Sequence, residues 1–249
     1  MHPLGQSRTV VRRNHVFIAP DSYVWEPPPG WSETEAVTLI SPEMGSRFTQ
    51  LLIAMQAGGR AGAPLRGVER FLFVLEGRIS FRTEAGGVTL GTGEFAFVPP
   101  ELEHEVVAEE SVRLVLFEKP YEPREGVGRP AAVTGASAAV AGEPFLGDSD
   151  ARLKTLLPAA PEFDMAVNLF CFEIGAALPF VETHVMEHGL YMTEGQGVYR
   201  LDDCWHPVQA HDAIWMASYC PQWFCAIGKS PSAYLYYKDV HRDPLSRVE

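Results

Sequence analysis

The stretch VETHVMEHG, residues 181–189, holds Glu182, His184, Glu187 and His188 within nine positions. Four potential metal donors this close admit two incompatible structures. HVMEH matches H-x-x-E-H, an inverted zinc-peptidase pattern that needs two histidines one helical turn apart. The flanks oppose a helix. Pro179 precedes the stretch, Gly189 closes it, and the β-rich segment LYMTEGQGVYRL follows directly. Such a helix would run barely two turns with no partner pattern. On extended chain, residues i and i+2 share a face. Glu182 and His184 then point together, and a turn through Val185–Glu187 carries His188 onto the next strand. Glu187 falls out of phase, as a solvated group or a partner behind the donors. Gln222, ending the segment HDAIWMASYCPQ, supplies a distant fourth donor.

The rest of the chain agrees with the extended reading. Glycine and proline separate short runs rich in Val, Ile, Phe and Tyr: RFTQLLIAM, RFLFVLEG, RISFRTE, EFAFVPP and RLVLFEK, then AVNLFCFEI, GLYMTEG, GVYRLD, DAIWMAS and AYLYYKD. These predict strands joined by tight turns, and an all-β sandwich or barrel. Residues 126–150 are small and Gly/Ala/Pro-rich, which suggests a linker. DARLKTLLP, after them, reads as a short strand or turn that docks on a domain. The expected division is an N-terminal domain with its arm over 1–125, a linker over 126–158 and a C-terminal domain over 159–249.

The halves resemble each other. RFLFVLEGRISF (70–81) lies over HGLYMTEGQGVY (188–199), so Gly77 falls on Gly195, an offset of 118 positions. The same offset places Arg70 on His188, Glu94 on Asp212 and His104 on Gln222, without a gap over about 35 positions. The first copy therefore offers Pro64, Arg66, Arg70 and His104 where the second offers Glu182, His184, His188 and Gln222. A proline and two arginines do not suit a cation, so this copy is expected to hold no metal. Arg66 and Arg70 could instead attract an anion.

These residues carry a family resemblance. Glu182-x-His184-x3-His188-x6-Gly195 resembles the first cupin motif, H-x-H-x(3,4)-E-x6-G, with its donors changed. Asp212 marks the second motif, and Gln222 stands at its final histidine. Together with GQGVYRL, W-x-P-V, IWM and YKDV-x-R-x-P, the pattern is similar to the bicupin (S)-ureidoglycine aminohydrolases, most densely over 160–244. His211 departs from the glycine usual before Asp212. The resemblance implies two tandem double-stranded β-helix (jelly-roll) barrels and a metal held by Glu182, His184, His188 and Gln222. It also implies hydrolytic release of ammonia from (S)-ureidoglycine to give (S)-ureidoglycolate, in purine (allantoin) catabolism. Glu182 and Lys238 would be catalytic, with Tyr199, Tyr234 and Lys238 beside Glu182 binding substrate. Spacing alone leaves open that both tyrosines are core aromatics and Lys238 a surface lysine. Phe180, Met192, Trp215 and Trp223 are expected to wall the pocket.

A carboxylate, two imidazoles and an amide oxygen, without thiolate, suit Mn²⁺, with Fe²⁺ or another divalent metal possible, better than structural zinc. They leave about two of six octahedral positions open. The net charge of −12 opposes nucleic acid and anionic membrane surfaces as partners. The expected partners are a small ureido-amino-acid substrate and further copies of the chain, as a homo-oligomer. Without an apolar leader or span, and with Cys171, Cys204, Cys220 and Cys225 in no regular framework, a cytoplasmic protein with free thiols is expected. A Cys220/Cys225 metal pair has poor spacing. Two other readings stay open: another metal-dependent cupin enzyme, such as an Fe²⁺ dioxygenase or an isomerase, and a non-enzymatic ligand-binding bicupin.

Overall fold

The unbroken apolar runs have a simple cause, which is that both of their faces are buried. The computed structural model describes residues 5–243. In chain order its strands are β1 (Val10–Val11), β2 (His15–Ile18), β3 (Ser32–Ile40), β4 (Thr49–Arg60), β5 (Val68–Glu76), β6 (Ile79–Thr83), β7 (Gly86–Leu90), β8 (Glu94–Val98), β9 (His104–Ala108) and β10 (Val112–Pro120). They continue as β11 (Val133–Ala136), β12 (Glu143–Phe145), β13 (Asp148–Thr155), β14 (Met165–Phe172), β15 (His188–Glu194), β16 (Gln196–Leu201), β17 (Cys204–Gln209), β18 (Ala213–Met216), β19 (Gln222–Ile227) and β20 (Ser232–Asp239). Among the described residues the only helical pieces are three-residue 3₁₀ turns.

In the first half β8, β5, β10, β4 and β3 lie side by side, with β9, β6 and β7 continuing from β4. In the second half the order is β18, β15, β20, β14, β13, while β17, β16 and β19 form a separate sheet. Shifted by the 118-residue offset, β3 to β10 fall on β13 to β20, so the repeat extends over the whole of both barrels. These are the two jelly-roll barrels of a bicupin. Their tight turns match as well: Gly77 and Gly195 both take positive φ, +80° and +76°. His211 has φ +74°, and its equivalent in the first barrel is Gly93 at +81°. The left-handed backbone is therefore kept where the side chain differs. The backbone N–H of His211 donates to the carbonyl of Met192 at 2.8 Å, and its ring meets the Tyr191 hydroxyl at 2.9 Å.

Side-chain alternation sorts the residues into three cores. On β5, Phe71 and Phe73 face a core shared between the barrels, and Leu72 and Val74 face the first barrel's interior. On β20, Leu235 and Tyr237 join the shared core, and Tyr234 and Tyr236 face the second barrel's interior. A strand buried on both sides carries no polar alternation, which is why these segments read as continuous hydrophobic runs. Lys238, in phase with 234 and 236, follows them inward. A one-residue slip would turn all three out of the barrel.

The first strands of the two repeats are exchanged. β2 pairs with β18 of the second barrel, with His15 opposite Met216 and Val16 opposite Trp215. Its equivalent, β11, pairs with β8 of the first barrel, with Val133 opposite Phe97. Arg8 reinforces the exchange with a bidentate pair to the buried Asp212 carboxylate at 2.9 and 2.7 Å. The segment 126–158, expected as a linker, thus carries β11, β12 and β13 and contributes to sheets on both sides. Its small residues have a packing reason: a Cβ on Gly135 would lie 2.7 Å from the Phe95 ring.

Ion pairs also cross between the halves. Arg47 bonds to Glu187 and Asp239. The Lys119 ammonium bonds to the Asp164 carboxylate, with both groups almost fully enclosed. Glu69 lies beside this pair. Burial, and then its contact with Asp164, push its carboxyl up to about 10. Glu69 is therefore protonated in the fold at neutral pH and ionises on unfolding. A folded value raised above the unfolded one gives stability that is complete below the ordinary value of 4.5 and is lost as pH climbs toward 10. Glu69→Gln should accordingly gain in melting midpoint over the wild type between pH 5 and pH 9. A difference that stays constant with pH would show Glu69 ionised in the folded protein.

Candidate active site

Residues 181–187 form neither a helix nor a full strand. They make an irregular loop fastened to the barrel by three backbone hydrogen bonds. Glu182 and Gln222 exchange backbone hydrogen bonds at 2.8 and 2.9 Å, and the Tyr219 N–H donates to the His184 carbonyl at 2.7 Å. His188 then opens β15, paired with Met216 on one side and Lys238 on the other. The helical H-x-x-E-H reading is thereby excluded. The extended reading holds for Glu182 as a single β-bridge, while His184 is placed by its loop.

This loop brings three donors together. Nε2 of His188 lies 3.1 Å from Nε2 of His184, and the Gln222 amide lies 3.0 Å from the same His184 nitrogen. The His184 Nδ1–H donates to the Met186 carbonyl at 3.0 Å, which fixes the tautomer and leaves Nε2 with its lone pair. Burial is the main influence holding both imidazoles below their ordinary pKa, so they are neutral. The Gln222 side-chain nitrogen faces that lone pair and donates to it; a half-turn of the amide presents its oxygen there instead, and two neutral imidazole nitrogens with an amide oxygen suit a cation. The Tyr199 hydroxyl reaches the Gln222 amide at 3.3 Å, and the Tyr236 ring stacks on His188 with centroids 5.3 Å apart.

These groups line a cavity of about 200 Å³, together with Glu182, Tyr234 and Lys238. Burial raises the Glu182 carboxyl, and Lys238 works against that shift. Burial lowers the Lys238 ammonium, and Glu182 counters it. The two form an electrostatic pair across the cavity. Among the described residues Glu182 does not join the two imidazoles in a cluster with all ligand atoms within 4.8 Å. Of the sequence-based candidates, Glu182, His184, His188, Gln222, Tyr199, Tyr234 and Lys238 all face this one cavity.

The expected apolar walls are a different matter. Phe180 is exposed, and Met192 packs in the second barrel's own core. Trp215 belongs to the shared core, and Trp223 donates its indole N–H to the Leu178 carbonyl at 2.7 Å. The cavity is instead walled by Phe145, Leu153, Phe170, Leu178, Met186 and Leu190. Phe145 and Leu153 come from β12 and β13, in the segment expected to be a linker. Tyr236 was visible as a phase-mate of Tyr234 and Lys238. Glu187 is not solvated. It is buried, and it accepts from the Arg47 backbone at 3.0 Å and the Trp215 indole at 3.1 Å. It anchors the chain next to His188 while facing away from the cavity.

The first barrel has a different solution at the equivalent place. The Arg70 guanidinium lies there fully buried, bonded to Glu118 at 2.8 and 2.6 Å and to the Gly62 carbonyl at 2.9 Å. His104 meets it at 3.2 Å. Arg70 is thus engaged by Glu118, Gly62 and His104 and closed off from solvent, and Arg66 is exposed.

Residues 51–118, in the first barrel, match the cupin domain family. The chain is 38% identical to an (S)-ureidoglycine aminohydrolase of Arabidopsis thaliana, over 97% of this chain and 80% of the relative. It is 33% identical to the (S)-ureidoglycine aminohydrolase of Escherichia coli K12, over 95% of this chain and 93% of the relative. The crystal structure of the E. coli protein Ylba superposes with a TM-score of 0.82 at 30% identity, covering 95% of this chain and 96% of the other. Oxalate decarboxylase of Bacillus subtilis shares the fold, at 12% identity and a TM-score of 0.68, covering 91% of this chain and 77% of the other. With relatives this similar over most of their length, the chain belongs to the (S)-ureidoglycine aminohydrolase family of cupin proteins.

Proposed function

We propose that the second barrel is the active site of a metal-dependent hydrolase that releases ammonia from (S)-ureidoglycine, giving (S)-ureidoglycolate. The observation that carries this reading is the meeting of His184, His188 and Gln222 in a cavity that also holds Glu182 and Lys238. These residues fit a hard divalent cation, with Glu182 as fourth donor, and Mn²⁺ is our assignment. When bound there, such an ion supplies a Lewis-acid anchor for a substrate oxygen.

The chain's own groups account for the rest. The substrate carries a carboxylate, an amine and a ureido group on one carbon. The Lys238 ammonium gives the local positive charge that an anionic substrate needs in a protein of net charge −12. Tyr199 and Tyr234 hydroxyls orient the polar substituents. The Glu182 oxygen not given to the cation accepts a hydrogen bond from the substrate's ammonium group and orients it. That nitrogen leaves with the C–N electron pair as ammonia. A water oxygen bonds to the carbon, and its surplus proton passes to the free Glu182 oxygen and on to solvent. The apolar walls exclude bulk water from the rest of the cavity.

Lys238→Met tests the anchoring role. A charge-assisted hydrogen bond contributes about 1.5–3 kcal/mol, so kcat/KM should fall roughly 10–100-fold, mostly through KM. An unchanged KM would remove Lys238 from the substrate site. The reaction class is tested by measuring ammonia release from freshly generated ureidoglycine beside oxygen consumption with catechols or flavonols. Ammonia without oxygen uptake is expected. Oxygen uptake without ammonia would favour a dioxygenase.

A further inference from the structure

The exchanged strand β2 carries a second group of metal donors, remote in sequence from the cavity loop. His15 on β2 meets Cys204 and His206 on β17, where two-residue spacing puts both side chains on one face. One imidazole nitrogen from each histidine and the Cys204 sulfur lie within 4.8 Å of one another, and no other trio of this kind exists among the described residues. The thiol is free and half-buried.

The two histidines are enclosed yet incomplete. His15 is 1% exposed and His206 8%, and Nε2 of each has no hydrogen-bond partner. A buried polar nitrogen without a partner is costly, and a matched pair beside a thiol calls for an explanation. The other His15 nitrogen is fixed: Nδ1–H donates to the Asn14 side-chain oxygen at 3.0 Å, and the Asn14 amide donates to Asp202 at 2.9 Å. That chain leaves the buried Nε2 with its lone pair unused and resembles the outer support of metal-binding histidines. Phe17 stacks on His206 at 5.3 Å and holds its ring. Cys204 points its thiol at Asp203 at 3.3 Å. The charged neighbours are Asp202 and Asp203, which favour a cation, and Arg12, which opposes one.

We propose that His15, Cys204 and His206 bind a borderline-soft divalent cation of the Zn²⁺ type, which ties the exchanged first strand to the second barrel. Two imidazoles and a thiolate prefer such an ion to Mn²⁺, so the protein sorts metals between two sites by donor chemistry. Binding displaces the thiol proton to solvent. The equivalent positions in the first barrel are Val133, Gly86 and Val88, so the exchange there has no such fastening.

The test is Co²⁺ titration of the full-length protein after chelator treatment. A thiolate ligand produces a near-ultraviolet sulfur-to-cobalt charge-transfer band, which the Glu/His/His/Gln cavity lacks the sulfur to give. The band should saturate by two equivalents in the wild type, where the cavity competes for Co²⁺, and disappear when Zn²⁺ is added. It should persist in His184→Ala and be lost in Cys204→Ser and His15→Ala, each checked for native circular dichroism. Zn²⁺ should raise the melting midpoint of wild type, and bind Cys204→Ser at least about tenfold more weakly. The proposal is overturned by a wild type that gives no band, or by a band that survives Cys204→Ser or His15→Ala.

Discussion

Replacing His184 by alanine is expected to lower ammonia release by at least about 10²-fold, because even supporting residues behind a metal ligand cost 10–100-fold in affinity or activity when lost. His184 is the centre of the site: its Nε2 lies within 3.1 Å of both His188 and the Gln222 amide. Removing it leaves two donors that no longer share a partner. The residue is half-buried on a loop, and the loop keeps its Glu182–Gln222 and Tyr219 backbone bonds. Stability should therefore change by no more than roughly 0.5 kcal/mol, about 1–2 °C in melting midpoint for a chain of this size. Elemental analysis of the variant should show the loss of Mn²⁺. Full ammonia release by a correctly folded His184→Ala protein would show that the cavity works without this donor.

Lys119→Met should be the most destabilising single replacement among those considered, at about 3–5 kcal/mol, the range for leaving one member of a buried ion pair alone. Lys119 comes from the first barrel and Asp164 from the start of the second, and neither is reached by solvent. The Asp164 carboxylate would keep only the Glu122 backbone N–H at 2.8 Å, with protonated Glu69 alongside. At roughly 2–4 °C per kcal/mol, the melting midpoint should drop by about 10 °C. Replacing both partners, as Lys119→Met with Asp164→Leu, should recover most of that loss because no charge is stranded. A single variant that melts within 2 °C of wild type would mean that the pair is solvated and that the interface between the barrels is looser than described.

Much of this architecture could be read from the residues. The offset linking Gly77 to Gly195 holds from β3/β13 to β10/β20, because each repeat must bury the same faces at the same places. The period of two puts Tyr234, Tyr236 and Lys238 on one face of β20, but only the family resemblance marks that face as the cavity side. The loop 181–187 was harder. Its shape depends on bonds to Gln222 and Tyr219, some forty residues away, and no local pattern encodes them. The exchanged strands were hidden for the same reason. β2 has four residues and pairs with a strand about 200 positions later, and β11 looks like linker because Gly135 must fit beneath Phe95. Trp215 and Met192 were misplaced because an aromatic or thioether near a motif fits a pocket wall and a core equally well. Only the three-dimensional division between shared and private cores separates those roles. The nearby residues Cys204 and His206 gave no signal on their own, because their third partner, His15, belongs to the other repeat.

The central claim is that a cation held by His184, His188, Gln222 and Glu182 drives the release of ammonia. Its most direct test is the rate of ammonia formation from (S)-ureidoglycine by chelator-treated protein, before and after Mn²⁺ is restored. The account predicts a rate near background after chelation and recovery at about one equivalent of Mn²⁺ in the wild type, with no recovery in His184→Ala. An undiminished rate in metal-depleted wild type, or no ammonia from the Mn²⁺-loaded protein, would contradict it.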